Sequence, residues 1–357
     1  MAFDRHNSDY HPIIFNTTKK IECKSVNGRF MTNDRRGTLR PLSVAPMMDR
    51  TDRHHRVMIR LMTSETLLYT EMVNTGAIIH GDSDRHLLYS DMERPLALQL
   101  GGDDPQALAE CAKIAEERGY NEVNLNVGCP SDRVKKGSFG ASMMARPDHV
   151  AKCVSEMRAA CKLPVTVKHR TGIDNQDSWE LLTHFVETVL AAGCDRLSVH
   201  ARKAWLTGLS PKDNRNIPPL QYEWVYRLKR EYPDVQFEIN GGIKSLDEAK
   251  SHLEQVDAVM IGRAAWDNPW IFSKADQELF GKDTPFVTRR QVVVQMAEYA
   301  ERELTAGTMR HLGQVARPLM NLYLGVPGSK VWKRVLSTEA FRAGASPELF
   351  LRAMPKD

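Results

Sequence analysis

At 357 residues the chain can bury a full core, and one large domain plus a small one is its natural partition. It has no run of about 18 uncharged apolar residues, no apolar signal region at its charged N-terminus, and six cysteines without a CxxC pair. It therefore reads as a reduced cytoplasmic enzyme, not as a membrane span, a disulfide framework or a structural zinc site. The net charge of +4 sits in the flanks: residues 1–40 carry 8 basic and 4 acidic side chains and residues 283–357 carry 11 and 7, against 30 and 34 in the centre.

Residues 1–37 are polar, poor in core residues and without periodicity, so this extension is expected to be disordered. From about residue 42, short apolar strands alternate with longer helical patterns, as in a parallel α/β sheet. The strands begin at LSVAP (42–46), LLYTEM (67–72), LALQL (96–100) and EVNLNV (122–127), then PVTVK (164–168), RLSVH (196–200), QFEIN (236–240) and AVMIG (258–262). Helical patterns lie at 105–118, 148–160, 179–192, 221–230 and 245–254, with Pro105 and Gly119 as a start and stop pair. This spacing predicts a TIM (β/α)8 barrel over 38–282; a doubly wound sheet is the alternative, but no GxGxxG follows the first strand.

After residue 283 the apolar positions Val293, Met296, Ala297, Ala300 and Leu304 form a helical stripe closed by Gly307. Further helices are expected at 309–324 and 330–342, and a last one capped by Ser346 and Pro347. Residues 283–357 are thus expected to be an all-α helical-bundle domain. Its basic balance suits a phosphate-binding arm, and suits a solvated surface equally well.

In such a barrel, chemistry sits at the C-terminal strand ends. Those ends carry Pro46-Met47-Met48, Glu71, Gln99, Asn126 with Cys129, Lys168 with Arg170, His200, Asn240-Gly241-Gly242 and Gly262-Arg263. Cys129, between Gly128 and Pro130, is a thiol on a fixed turn facing a cleft, although most lone cysteines are small buried hydrophobes. NGGI (240–243) and IGRAAWDNP (261–269) end the last two strands, where barrels bind a cofactor phosphate through backbone N–H groups and a cation. Lys168 and His200 could stabilise the negative charge of a reduced isoalloxazine, with Gln99 at its polar edge. On sequence alone Lys168 could instead be a solvent-facing lysine and His200 a satisfied structural histidine.

The chain resembles the flavin-dependent tRNA-dihydrouridine synthases, most closely the bacterial A-type. The resemblance rests on APMMDRTDRHHR (45–56), LLYTEMVNTGAIIHG (67–81), LALQLGG (96–102), NLNVGCPSDRV (124–134), VTVKHRTGID (165–174), VHARKAWLTGLSPKDNRNIPPL (199–220), INGGIKS (239–245) and IGRAAWDNP, within about 41–353. It implies an FMN enzyme, with NADPH as reductant, that reduces the C5=C6 bond of D-loop uridine in tRNA, at positions 20 and 20a. Hydride would pass from FMN N5 to C6, and a proton from Cys129 to C5. FMN would be held by Pro46, Met47, Met48, Gln99, Lys168, His200, Asn240, Gly241, Gly242, Gly262 and Arg263.

The same resemblance places tRNA contacts at Asn126, Arg170, Lys212, Arg215, Lys330 and Lys333, and implies a monomer needing no metal or membrane. At the last two positions lysine keeps the charge without arginine's bidentate fork. An ordinary thiol, with a pKa of about 8.5, is mostly protonated at neutral pH and can donate. The base must leave the RNA stack to react, so tRNA has to be held elsewhere, which suits the helical region and the 203–220 loop with Trp205. Two rivals are a small-molecule FMN reductase of the dihydroorotate dehydrogenase kind and a non-catalytic tRNA chaperone. The first does not need the basic helices or the long loop, and the second does not need Cys129, Lys168 and His200 together.

Overall fold

Alternation along the strands decides the architecture. In the computed structural model, which describes residues 40–131, 137–283 and 285–355, nine strands form one parallel sheet. They are β1 (Leu42–Val44), β2 (Leu67–Tyr69), β3 (Val73–Asn74), β4 (Leu96–Gly101), β5 (Glu122–Val127), β6 (Val165–Arg170), β7 (Arg196–His200), β8 (Phe237–Asn240) and β9 (Ala258–Ile261). β1 pairs with both β2 and β9, and β2 pairs with β4, so the ring closes. The two-residue β3 only extends the pairing at the C-terminal end of β4. This is the expected eight-stranded barrel, and strand starts and ends fall within a few residues of the sequence pattern.

Val123, Leu125 and Val127 of β5 belong to the large apolar cluster shared with the surrounding helices, as do Val165 and Val167 of β6 and Leu197 and Val199 of β7. The alternate residues, Glu122, Asn124, Asn126, Thr166, Arg196, Ser198, Glu238 and Asn240, are buried as well and face the barrel interior. Inside, Ala45, Leu67, Tyr69, Ala97 and Met260 form a small separate apolar cluster. The sequence pattern that would mark a half-solvated strand therefore marks a polar barrel interior.

Most of that interior is paired, although Arg196 Nε has no hydrogen-bond partner. Arg196 donates to both oxygens of Glu122 at 2.7 Å and to the Tyr69 hydroxyl at 2.7 Å. Ser43 donates to Glu238 at 2.6 Å, and Ser198 to its other oxygen. Buried charge is tolerated only when partnered in this way.

The helices start where capping residues allow. Asp104 accepts from the Ala107 N–H at 2.8 Å and Pro105 opens Pro105–Glu117, while Gly119 at φ 79° turns the chain back toward β5. Past the barrel, Thr288 and Gln291 form a capping box that opens Arg289–Thr305. The next helix is shorter than the 309–324 pattern, covering Gly313–Leu319, and carries Pro318, which lacks a backbone donor, in its last turn. Ser329–Thr338 and Glu348–Ala353 follow, the latter with its Glu348 N–H donating to Ser346 Oγ at 3.3 Å.

These helices and the barrel belong to one compact unit. His54 Nδ1 meets the Tyr299 hydroxyl at 2.9 Å, and Arg53 pairs with Glu303 at 2.6 Å. The expectation for residues 1–37 lies outside the described residues. Among the described residues no helix is long and apolar enough to cross a membrane.

Candidate active site

At the C-terminal mouth of the barrel the strand ends enclose a cavity of about 660 Å³, within the range of small-ligand sites. Of the residues singled out from sequence, it brings together Pro46, Met47, Lys168, His200, Asn240, Gly241, Gly242, Gly262, Arg263 and Arg215. Five basic side chains, Lys168, Arg202, Arg215, Lys244 and Arg263, line it against one carboxylate, Asp267. Such a donor set calls for an anion.

The floor and one wall are fixed by β6–β8. His200 is in register with Arg170 on one side and Asn240 on the other. Lys168 Nζ donates to Asn240 Oδ1 at 3.0 Å, and Asn240 Nδ2 donates to the Met260 carbonyl at 2.8 Å. Burial pushes the Lys168 ammonium down to about 8, with Arg170 adding to the depression and Glu238 opposing it. Burial, then the cations Arg170, Lys168, Arg202 and Arg263, hold His200 well below its ordinary value. His200 is therefore a neutral imidazole, a hydrogen-bonding group and not a cation.

Gly241 and Gly242 are glycines by necessity. Both have positive φ, 120° and 78°. A Cβ on Gly241 would lie 2.8 Å from His200 Cδ2, and one on Gly242 would lie 2.8 Å from Leu220 Cδ1 and the Tyr222 hydroxyl oxygen. The turn is a backbone cradle that any side chain would fill. Arg263, which lines the same cavity, donates through Nη1 to Asn216 Oδ1 at 2.6 Å and through Nη2 to the Arg215 carbonyl at 3.2 Å.

Cys129 stands beside this cavity on the β5 side. Its N–H and that of Gly128 donate to Asn126 Oδ1 at 3.0 and 3.1 Å, its carbonyl accepts from Ala141 at 2.9 Å, and its half-buried thiol donates to Ser131 Oγ at 3.4 Å. It lies within Coulombic reach of Lys168, Arg170 and Arg215. The other cysteines among the described residues are buried.

Several residues sit elsewhere than a simple lining would have them. Gln99 is 1 % exposed, with its amide engaged by Asn124 and Asn126, both at 2.8 Å. Met48 is 49 % exposed on the outside. Arg170 is buried and spans two loops, donating to the Gly128 carbonyl at 2.8 Å and to the Lys203 and Asn214 carbonyls at 3.1 Å. Lys212 is exposed on the 203–220 loop. Lys330 is exposed and Lys333 half-buried on Ser329–Thr338. Trp205 has the Lys203 ammonium 4.3 Å from its ring centre.

Sequence reading passed over Arg202 and Lys244, although each lies two residues beyond a named position, His200 and Gly242. It also passed over the polar interior of the barrel. Among the described residues no group of three or more His, Cys, Asp or Glu side chains could hold a metal.

A closed parallel barrel with a cationic, glycine-cradled mouth and an adjacent held thiol defines a barrel enzyme whose cavity suits an anionic ligand. The Dihydrouridine synthase (Dus) family matches residues 43–354. The chain is 55% identical over 317 residues to the tRNA-dihydrouridine(20/20a) synthase of Synechocystis sp., covering 89% of this chain and 94% of that one. It is 54% identical over 316 residues to the enzyme of the same name from Vibrio cholerae, covering 88% and 96%. With that of Escherichia coli strain K12 the identity is 55% over 313 residues, covering 87% and 90%. The chain belongs to the dihydrouridine synthase family.

Proposed function

We propose that this protein reduces uridine to 5,6-dihydrouridine in the D-loop of tRNA, at positions 20 and 20a, with FMN as cofactor and NADPH as reductant. The observation that carries this reading is the cavity itself: its lining holds two positive-φ glycines beside His200, with Lys168 and Arg263, and Cys129 stands alongside. The residues fit FMN. Gly241, Gly242, Gly262 and Arg263 would take its phosphate, while Pro46, Met47, Lys168, His200 and Asn240 would hold the ring. Bound there, FMN supplies the hydride that NADPH provides.

The chain's own groups do the rest. Lys168 offers an ammonium that an anion would keep protonated, and neutral His200 offers a hydrogen bond without adding charge. Cys129 holds a proton on Sγ and delivers it to C5 of the uracil, its backbone fixed on both sides by Asn126 and Ala141. Arg170 ties the Cys129 turn to the 203–214 loop, so the proton donor and one wall of the substrate entrance move as a unit. Lys212 and Arg215 on that loop, and Lys330 and Lys333 in residues 283–357, would hold tRNA phosphates while the base enters.

The test is reconstitution. Protein loaded with FMN should, with NADPH, add two hydrogens to an unmodified tRNA transcript, and fragment mass spectrometry should map them to positions 20 and 20a. A transcript that remains unreduced by the flavin-loaded protein refutes the proposal. Reduction at other D-loop uridines refutes the position.

A further inference from the structure

Beneath Cys129, buried amide and hydroxyl side chains run head to tail into the charged floor of the barrel. The N–H groups of Gly128 and Cys129 donate to Asn126 Oδ1. Asn126 Nδ2 donates to Gln99 Oε1, Gln99 Nε2 to Asn124 Oδ1, and Asn124 Nδ2 to Thr166 Oγ1, each at 2.8 Å. Thr166 Oγ1 donates to Glu122 Oε1 at 2.6 Å, and Glu122 is held by Arg196. Asn124 is 0 % exposed, and Gln99 and Thr166 are 1 % exposed.

The direction of this chain is not free. A backbone N–H can only donate, so the Asn126 carbonyl must face it and the Asn126 NH2 must face Gln99. A carboxylate paired with arginine can only accept, so Thr166 must donate downward and accept from Asn124. With both ends fixed, every amide between them has one orientation. Flipping any member would set two donors or two acceptors against each other among buried side chains.

We propose that Asn124 and Thr166 are positioning residues for Cys129, acting through Gln99 and Asn126 to keep the Cys129 turn in the geometry for proton delivery. This rests on the reading of Cys129 as proton donor. Neither residue lines the cavity and both are at most 1 % exposed, so each would act through the side chains it bonds. Gln99 thereby gains a use that does not depend on the cofactor.

The experiment compares wild type, Thr166→Val and Thr166→Ser as flavin-loaded protein. Valine keeps the volume, and Glu122 retains Arg196 and Tyr69, while serine keeps the hydroxyl. Tryptic mass spectrometry follows iodoacetamide alkylation of Cys129, which needs neither tRNA nor NADPH. Stopped-flow absorbance follows flavin reduction by NADPH and its reoxidation by tRNA.

In Thr166→Val, Cys129 alkylation should rise by at least about threefold, and tRNA-driven reoxidation should fall on the order of 10- to 100-fold, the scale of a slightly misplaced reacting group. Flavin reduction by NADPH should hold, and Thr166→Ser should restore both readouts. Asn124→Ala breaks the next link without touching Glu122 and should reproduce the pair of changes if valine at 166 does not fold. Wild-type alkylation and reoxidation in Thr166→Val would overturn the proposal, as would an equal fall in both half-reactions. If the wild type itself fails to reduce tRNA, the functional reading falls, and an unchanged alkylation rate in Thr166→Val still overturns the relay by itself.

Discussion

Arg263→Ala separates a phosphate anchor from a rim tether. The guanidinium is held over the cavity by Asn216 Oδ1 at 2.6 Å and the Arg215 carbonyl at 3.2 Å. A hydrogen bond to a charged group contributes about 1.5–3 kcal/mol. At about 1.4 kcal/mol per factor of ten, its loss should weaken FMN binding roughly 10- to 150-fold. Arg263→Lys keeps the charge but neither tether nor fork, and should fall between. The side chain is only half-buried, so stability without FMN should move by no more than about 0.5 kcal/mol. Titrating flavin-free protein with FMN, read by quenching of flavin fluorescence, measures the first quantity, and thermal melts without FMN measure the second. An affinity change below about threefold would refute the phosphate assignment. A matching loss of stability and affinity would make Arg263 a tether for the 215–216 turn alone.

Cys129→Ala should keep FMN and its reduction by NADPH, while dihydrouridine formation, read by tRNA mass spectrometry, drops by about 100-fold or more; near wild-type turnover would return Cys129 to a packing role. Lys168 loses its proton near 8 in the folded chain against the ordinary 10.5, so its burial costs stability below pH 8 and that cost fades as pH rises toward 10.5. An anion in the cavity reverses the preference, so FMN binding at pH 8.5 should take up a proton, seen as a buffer-dependent calorimetric enthalpy that Lys168→Met abolishes. Replacing both Lys330 and Lys333 with Ala should weaken tRNA binding and flatten its log–log salt dependence by up to about two units, leaving flavin reduction by NADPH intact; an unchanged slope means neither lysine meets a phosphate.

The strand ends were the legible part of this molecule. Gly-Gly at 241–242, Arg263, Lys168 and His200 stand out together because each follows or ends a different apolar run at its C-terminal end, and the fold collects them at one mouth. The barrel interior was not legible in the same way. EVNLNV reads as apolar valines and a leucine with polar residues between them. Those valines and the leucine face helices, while Glu122, Asn124 and Asn126 point inward. Periodicity gives two faces but not which face is enclosed, and closure of β1 onto β9 decides that. Asn126 and Arg170 illustrate the consequence. Both are polar residues at strand ends, yet both are buried and committed to backbone partners, Asn126 to the Cys129 turn and Arg170 to three carbonyls. Polarity at a strand end identifies the site, but not whether a side chain meets a ligand or holds a residue that does.

A charged floor is a costly way to fill a barrel. Taking each ion out of water costs several kcal/mol before pairing, and well-packed apolar residues of similar volume often do as well or better for stability. Here the cost has two local consequences. At one end Glu122, bound through both oxygens by Arg196, is the fixed acceptor that orients Thr166, Asn124, Gln99 and Asn126 in turn. At the other, Glu238 opposes the burial that depresses the Lys168 ammonium. An apolar floor would leave the amide chain without a defined direction and would lower Lys168 further, toward a neutral amine at working pH. The ion cluster thus acts on the orientation of the Cys129 turn and on the charge state of Lys168 without touching the cavity between them.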